Sequence, residues 1–454
     1  MSDHGLPESW ASAEIGSLCD LVNGKAFKPS DWTENGLPIV RIQNLNNPDA
    51  PFNHYDGDVQ EKFLIGEGEL LFAWSGTPGT SFGAHVWRGG DAVLNQHIFK
   101  VEFDEKNLEK DFFRLAINQR LDELIGKAHG GVGLRHVTKG VFEQTEIAIP
   151  PLPEQRRIVD KLDRLSARST AARHHLARIP ILAARAKQAI LAKAFRGELT
   201  ADQRQAVGAR NWRYGAAKDL CDLVQSGGTP KKGFTEKAGV PFLKVYNLVN
   251  QTVDFDYRSQ FVSEQVHRTE LRKSVAQPGD VLMNIVGPPL GKVAIVPNEY
   301  PEWNVNQAIT VFRPGPNISS KWLYYFLRSG IPVESIYHET KGSAGQVNIS
   351  LSQCRNFTIP TPDDTEQAEI VSRIETAFAY IDRMAEEASR AAHLLDRLDE
   401  RLLAKAFRGE LVPQDPNDEP AEALLARIRA TRAAEPKAKR GRRRNSTRAA
   451  TGDN

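Results

Sequence analysis

The sequence predicts an α+β protein: two similar α/β globules separated by two long α-helices that pair as an antiparallel coiled coil, with pseudo-twofold symmetry. Three observations predict this. A helical stretch occurs twice, at residues 154–199 and 366–411, offset by 212 residues at both ends. Each copy carries a continuous apolar seam. The residues ahead of each copy share short motifs in the same order, so the chain is a duplication of globule and helix.

Both helical copies open with Glu-Gln and close with Leu-Ala-Lys-Ala-Phe-Arg-Gly-Glu-Leu. In the second, apolar residues fall at Ile370, Ile374, Ala377, Ile381, Met384, Ala388, Ala391, Leu395, Leu398 and Leu402. The alternating steps of four and three are the spacing of a coiled-coil stripe. The first copy repeats it from Ile158 to Ile190, with Ser169 the one polar position. At 1.5 Å per residue each seam is roughly 50 Å long. Residues 154–199 hold eleven Lys/Arg against four Asp/Glu, and residues 366–411 seven against ten. Matching seams of opposite charge predict pairing. Pro180 should kink or divide the first helix, and Gly197 and Gly409 should cap the C-termini.

In the first globule, Leu37-Pro-Ile-Val-Arg-Ile42, Glu69-Leu-Leu-Phe-Ala-Trp74 and residues 93–101 are strand candidates, the last carrying Asn95-Gln96. Residues 111–125 have helical spacing, a glycine-rich loop covers 130–136, and a strand covers 145–149. Residues 213–360 repeat the plan. Leu18-Cys-Asp-Leu-Val22 returns as Leu220-Cys-Asp-Leu-Val224, Gly36-Leu-Pro as Gly239-Val-Pro, and Asn95-Gln96 as Asn306-Gln307. Each globule is expected to be a small twisted sheet with flanking helices. The divisions are therefore 1–150, a central helical region 151–212, 213–360, a C-terminal helical region 361–415, and a basic disordered tail 416–454.

At 454 residues the chain suffices for two or three domains. Cys19, Cys221 and Cys354 form no disulfide framework, which points to a reducing cytoplasm. The N-terminus lacks the pattern of a signal peptide, and no apolar run reaches the roughly 20 residues of a membrane span. The net charge of +2 combines a basic segment, 427–454, with a mildly acidic body. A nucleic-acid reading must therefore rest on local surfaces.

Taken together, these motifs resemble the specificity subunit of type I restriction–modification systems. The likeness spans about residues 10–415. It rests on two diverged domains, each entered through Gly-Leu/Val-Pro and Asn-Gln segments and each leaving through Ile-Pro and Glu-Gln into a helix ending Ala-Phe-Arg-Gly-Glu-Leu. The resemblance implies two target-recognition domains on double-stranded DNA, each reading one half of an interrupted target. It implies helices that act as a ruler and dock two methyltransferase subunits. It implies no cofactor in this chain: S-adenosylmethionine belongs to the partner methyltransferase, and ATP and Mg to a restriction (motor–nuclease) subunit, two copies of which join where one is present. The alternative is a coiled-coil scaffold whose globules bind protein.

Three groups are candidates for DNA contact. The first is the loop after each Leu-Cys-Asp-Leu-Val, with Lys25 and Lys28 in one domain and Thr229, Lys231 and Lys232 in the other; the alternative is a solvated turn. The second is the polar strand end, Arg41, Gln43 and Asn44 with Lys244, Tyr246 and Asn247, residue types that hydrogen-bond base edges; the alternative is capping of the strand by its own side chains. The third is the glycine loop, with Arg135, His136 and Lys139, and Lys341, Ser343, Gln346 and Asn348; the alternative is a solvent loop. Asn95-Gln96 and Asn306-Gln307 recur unchanged and are expected to be structural. No catalytic motif emerges. Gly287-Pro-Pro-Leu290 lacks the Asn/Asp and aromatic residue of an amino-methyltransferase. There is no phosphate-binding Gly-x-x-x-x-Gly-Lys-Ser/Thr run, and His174-His175 lacks companion metal ligands.

Overall fold

The computed structural model of the protein describes residues 5–47, 49–76, 82–126, 135–207, 212–235, 238–287, 289–336 and 348–434. The chain divides into two compact units, one of residues 1–174 with 392–454 and the other of residues 175–391. Each unit holds one globule and a stem made from part of each long helix.

The expectation of one small sheet per globule is corrected: each has two principal sheets. In the first globule Cys19–Asn23, Ile98–Phe103, Leu70–Ala73 and Gly83–Val86 form an antiparallel sheet in that spatial order. The second sheet orders Asn53–Tyr55, Leu37–Val40, Ala92–Leu94 and Leu64–Ile65, its two central strands running parallel. The second globule repeats both. Cys221–Ser226, Ile309–Pro314, Val281–Asn284 and Val293–Ile295 make the antiparallel sheet. In the other, Val240–Leu243 runs parallel to Trp303–Val305. A two-stranded ribbon closes each globule, pairing Ala11–Glu14 with Glu146–Ile149 and Arg213–Ala216 with Thr358–Thr361. The single strand expected at 93–101 is broken, because the chain turns at Asn95, where Ile98 N–H returns to the Asn95 carbonyl at 3.1 Å. Strands buried on both faces read as apolar runs, Leu70–Ala73 throughout and Val281–Asn284 up to the buried Asn284. The predicted helix at 111–125 is two, Lys110–Gln119 and Leu121–Gly126.

The long helices span Leu152–Phe195 and Asp364–Ala406. Pro180 does not divide the first. Proline removes one backbone donor, but Leu176, Ile179 and Ala183 on either side stay half-buried in the seam. The helices run antiparallel in each stem. In the first unit Ser169 Oγ donates to Asp399 at 3.0 Å, and Arg173 donates to Asp396 and Asp399 at 3.0 and 2.8 Å. The one polar position of the first seam therefore meets a polar group. In the second unit Lys187 pairs with Asp382. Met384 and Leu398, expected in the seam, lie 44% and 45% exposed, because the buried stripe passes through Ala385 and Asp399 instead.

Each helix is bolted to a globule at both ends. At the starts, Gln155 donates to the Pro150 carbonyl and accepts Glu109 N–H, both at 2.9 Å, and Gln367 likewise bonds the Pro362 carbonyl and Ser319 N–H. Buried Glu154 accepts from Trp10 Nε1 at 3.1 Å and Gln414 at 2.6 Å. Glu366 accepts from Trp212 Nε1 at 3.0 Å, Thr200 at 2.6 Å and Arg204 at 3.1 Å. At the ends, Gly197 and Gly409 adopt φ of 74° and 72°. The following glutamate N–H reaches back five residues to Lys193 or Lys405, completing a C-terminal cap. Phe195 then packs on Trp322 and Phe326 of the second globule, and Phe407 on Phe112 of the first.

The tail expected from residue 416 is corrected in part. Ala421–Ala434 is a helix whose Ala421, Leu424, Leu425 and Ile428 are buried in the first unit's core. Their i, i+3, i+4, i+7 spacing is an amphipathic stripe, and Arg432 adds a 2.9 Å bond to Asp20. Residues 435–454 lie outside the described residues. All three cysteines are buried and unbonded to one another, and burial pushes each thiol up to about 12. Among the described residues no helix is long and apolar enough to cross a membrane.

Two outcomes follow. Leu424→Ala should destabilise the first unit by about 2–5 kcal/mol, read as a shifted urea midpoint; an unchanged midpoint would mean that the C-terminal helix adds nothing. Burial also pushes the Glu154 carboxyl above the usual glutamate range, despite hydrogen bonds from Gln414 and Trp10. The folded chain then keeps a proton that the unfolded chain has released, so this contribution is largest at low pH. It declines as pH rises from the ordinary glutamate range through the raised folded value. The stability of wild type minus that of Glu154→Gln should shrink across that window; a pH-independent difference would refute the account.

Candidate nucleic-acid interface

In each globule the polar segments singled out in the sequence meet around the Asn-Gln turn. In the first, Asn95 N–H bonds the Val40 carbonyl at 3.1 Å, just ahead of Arg41, and Lys25 N–H bonds the Leu94 carbonyl at 2.8 Å. In the second, Asn306 N–H bonds the Leu243 carbonyl at 3.0 Å, just ahead of Lys244, and Gly228 N–H bonds the Val305 carbonyl at 3.1 Å. The turn gathers the first two candidate groups by its backbone, in keeping with a structural role. The approach is close enough to demand glycine. A Cβ on Gly24 would lie 2.2 Å from the Asn95 carbonyl oxygen, and one on Gly227 2.1 Å from that of Val305.

The third group joins the same place. Trp74 N–H bonds the His97 carbonyl at 3.3 Å, and Val137 N–H bonds the Trp74 carbonyl at 2.9 Å. His136 stands opposite Ser75, with Nδ1 and Oγ 2.8 Å apart. In the second globule Ile285 N–H bonds the Ala308 carbonyl, Ile349 N–H bonds the Ile285 carbonyl, and Asn348 bridges to Val286.

The side chains sort into three kinds. Lys28, Gln43, Thr229, Lys231, Lys232 and Asn348 are exposed; Thr229 also donates to Gln307. A second kind pairs cations with rings. Lys25 Nζ sits 3.8 Å from the Tyr55 ring centre, Arg41 5.5 Å from Trp32, and Lys244 5.3 Å from Phe234. Tyr246 packs edge-on to Tyr257, with Arg258 over both rings. Trp32, Phe234 and Tyr257 are exposed large aromatics. Such surfaces present charge to phosphate and flat faces to bases. Sequence alone does not single out Trp32, Tyr55, Phe234, Tyr257, Arg258 and His97; their one signal is aromatic and basic residues interleaved in the polar segments.

The third kind is engaged by its own globule. Asn44 and Asn247 are buried and cap their own turns. Each Oδ1 accepts the N–H three residues back, from Arg41 or Lys244, and each Nδ2 donates to two carbonyls, Ala50 and Pro51 or Asp254 and Tyr257. Each amide is thus satisfied within its own turn, as the capping alternative expects. The segments themselves are short helical turns, not strand ends. Lys139 likewise lies on the helix Lys139–Glu143, donating to the Leu21 carbonyl at 3.1 Å and pairing with Glu143. Lys341, Ser343, Gln346 and the side chain of Arg135 lie outside the described residues.

The His97 ring is held below its usual range, by burial first and then by His136. Among the described residues no group of three or more His, Cys, Asp or Glu is arranged to hold a metal ion.

The family model described as type I restriction modification DNA specificity domain matches residues 7–179 and 209–389. The EcoBI specificity subunit of Escherichia coli is 28% identical over 94% of this chain and 94% of its own length. The EcoKI specificity subunit of E. coli strain K12 is 27% identical over 96% and 98%. The HsdS subunit of Thermoanaerobacter tengcongensis shares the fold at a TM-score of 0.60 and 21% identity, over 90% of this chain and 99% of that one.

Gly24→Ala and Gly227→Ala should each perturb the segments gathered on their own globule, while Gly90→Ala, with open space around its Cβ, should not. Hydrogen exchange of residues 24–28 and 227–232 reads this directly, and equal protection in all three variants would contradict the close-approach argument.

Proposed function

Because the chain belongs to the type I restriction–modification DNA specificity family, and so is a specificity subunit with two target-recognition domains, we propose that each domain binds one half-site of a bipartite double-stranded DNA target through the surface around its Asn-Gln turn. One observation carries the reading. The two domains gather the same segments with the same backbone bonds, yet present different polar, basic and aromatic side chains there. A common frame with unlike surfaces suits two readers of unlike bases, since base edges differ in donors and acceptors while phosphates do not.

In this reading the chain itself is non-catalytic and its output is positional. Two methyltransferase subunits carrying S-adenosylmethionine methylate adenine where this chain places them. A restriction subunit using ATP and Mg, where present, joins the same complex. Lys28, Lys231 and Lys232, exposed beside the turn, supply phosphate attraction that sets register, and the ring-paired cations Lys25, Arg41, Lys244 and Arg258 supply surfaces for bases or sugars.

The test is the host's adenine-methylation map with this gene intact and deleted. The expected result is loss of one motif made of two short half-sites around a fixed gap. If every methylated motif persists while the partner genes are expressed, the reading fails and the protein-scaffold alternative replaces it.

A further inference from the structure

Four positions of the first domain have counterparts in the second that the backbone identifies without ambiguity. The bond from Trp74 N–H to the His97 carbonyl matches that from Ile285 to Ala308, and the bond from Val137 to Trp74 matches that from Ile349 to Ile285. The pairing of Ser75 with His136 matches that of Val286 with Asn348. Trp74, Ser75, His97 and His136 therefore stand where Ile285, Val286, Ala308 and Asn348 stand. Both sets flank an identical Asn-Gln turn.

The side chains at these matched positions differ. In the first domain the Trp74 ring centre lies 5.4 Å from that of His97 and 5.8 Å from that of His136. Nε1 of Trp74 and Nδ1 of His97 are buried with no hydrogen-bond partner among the described residues. Native proteins hold few such groups. In the second domain the matched residues are Ile285, Val286 and Ala308 with the exposed amide of Asn348, and Val286 is 38% exposed. The His97 and His136 side chains stay half-buried, not fully enclosed; an imidazole N–H suits the acceptor edges of purines, and an exposed isopropyl group suits the thymine methyl.

We propose that this matched set, His97 and His136 in the first domain and Val286 in the second, determines which base each domain prefers at one position of its half-site. The inference rests on the DNA-binding reading above and assigns the discriminating contacts within it. The lysines and cation–ring pairs then contribute affinity with little selectivity.

The test uses the full chain assembled with its methyltransferase subunits and a duplex library randomised in both half-sites. Two exchanges give one domain the other's side chains: His97→Ala with His136→Asn, and Val286→Ser. The double variant should change the enriched base at one position of one half-site, by at least about fivefold, leaving the other half-site as in wild type. Val286→Ser should do the same in the opposite half. Wild-type enrichment at both halves in variants that assemble overturns the assignment. A wild-type complex that enriches no bipartite sequence overturns the DNA-binding reading instead. If the double variant does not co-elute with its partners, Val286→Ser, altered at an exposed side chain, decides alone.

Discussion

The structure depends on the Glu-Gln pair that opens each long helix, buried in the first and half-buried at Glu366 in the second. A helix start leaves backbone donors unsatisfied and carries partial positive charge, so an acidic residue there is favoured. Here the pair does more than cap. Gln155 and Gln367 stitch the helix to the connector before it and to a loop of the globule. Glu154 and Glu366 each hold a tryptophan from the start of the globule and a polar group that follows the other helix's Phe-Arg-Gly-Glu-Leu end. One carboxylate thus ties three separate stretches of chain. Removing a partner from such a buried group leaves its desolvation uncompensated, which explains why both the dipeptide and the terminal motif recur when the globules between them have diverged.

The duplication, the helices, their opposite charge and their caps were legible in the sequence, because each is a local or strictly periodic signal. The resemblance to specificity subunits rested on the order of those signals. The number of sheets was not legible. Residues 93–101 look like one apolar strand, and only the long-range bond from Asn95 to Val40 shows the chain leaving one sheet for another. The helix at Ala421–Ala434 is hard to see in the sequence because its four buried apolar residues sit in an arginine-rich stretch. Strict heptad arithmetic places Met384 and Leu398 inward, but a real helix pair lets the stripe drift by one position.

At the candidate interface, sequence located the segments better than the residues. Side-chain type alone could not separate Asn44 and Asn247, which complete their own turns, from Gln43, which is free to face solvent. The distinction lies in carbonyls six to ten residues further along that loop back to accept from each asparagine. What the two domains share is backbone geometry, fixed by glycine and by main-chain hydrogen bonds. What they do not share is the chemistry hung on it. Selection can therefore alter the surface without touching the frame.

The three buried thiols also have a practical meaning. A cysteine reacts as its thiolate, and thiols pushed up to about 12 hold almost none at neutral pH. Buried as well as protonated, the native cysteines are expected to stay silent toward maleimides and mild oxidants while the fold is intact. A single cysteine introduced at an exposed position can then carry a fluorophore or a cross-linker with no background from the rest of the chain, and loss of that silence is itself a sensitive report of unfolding.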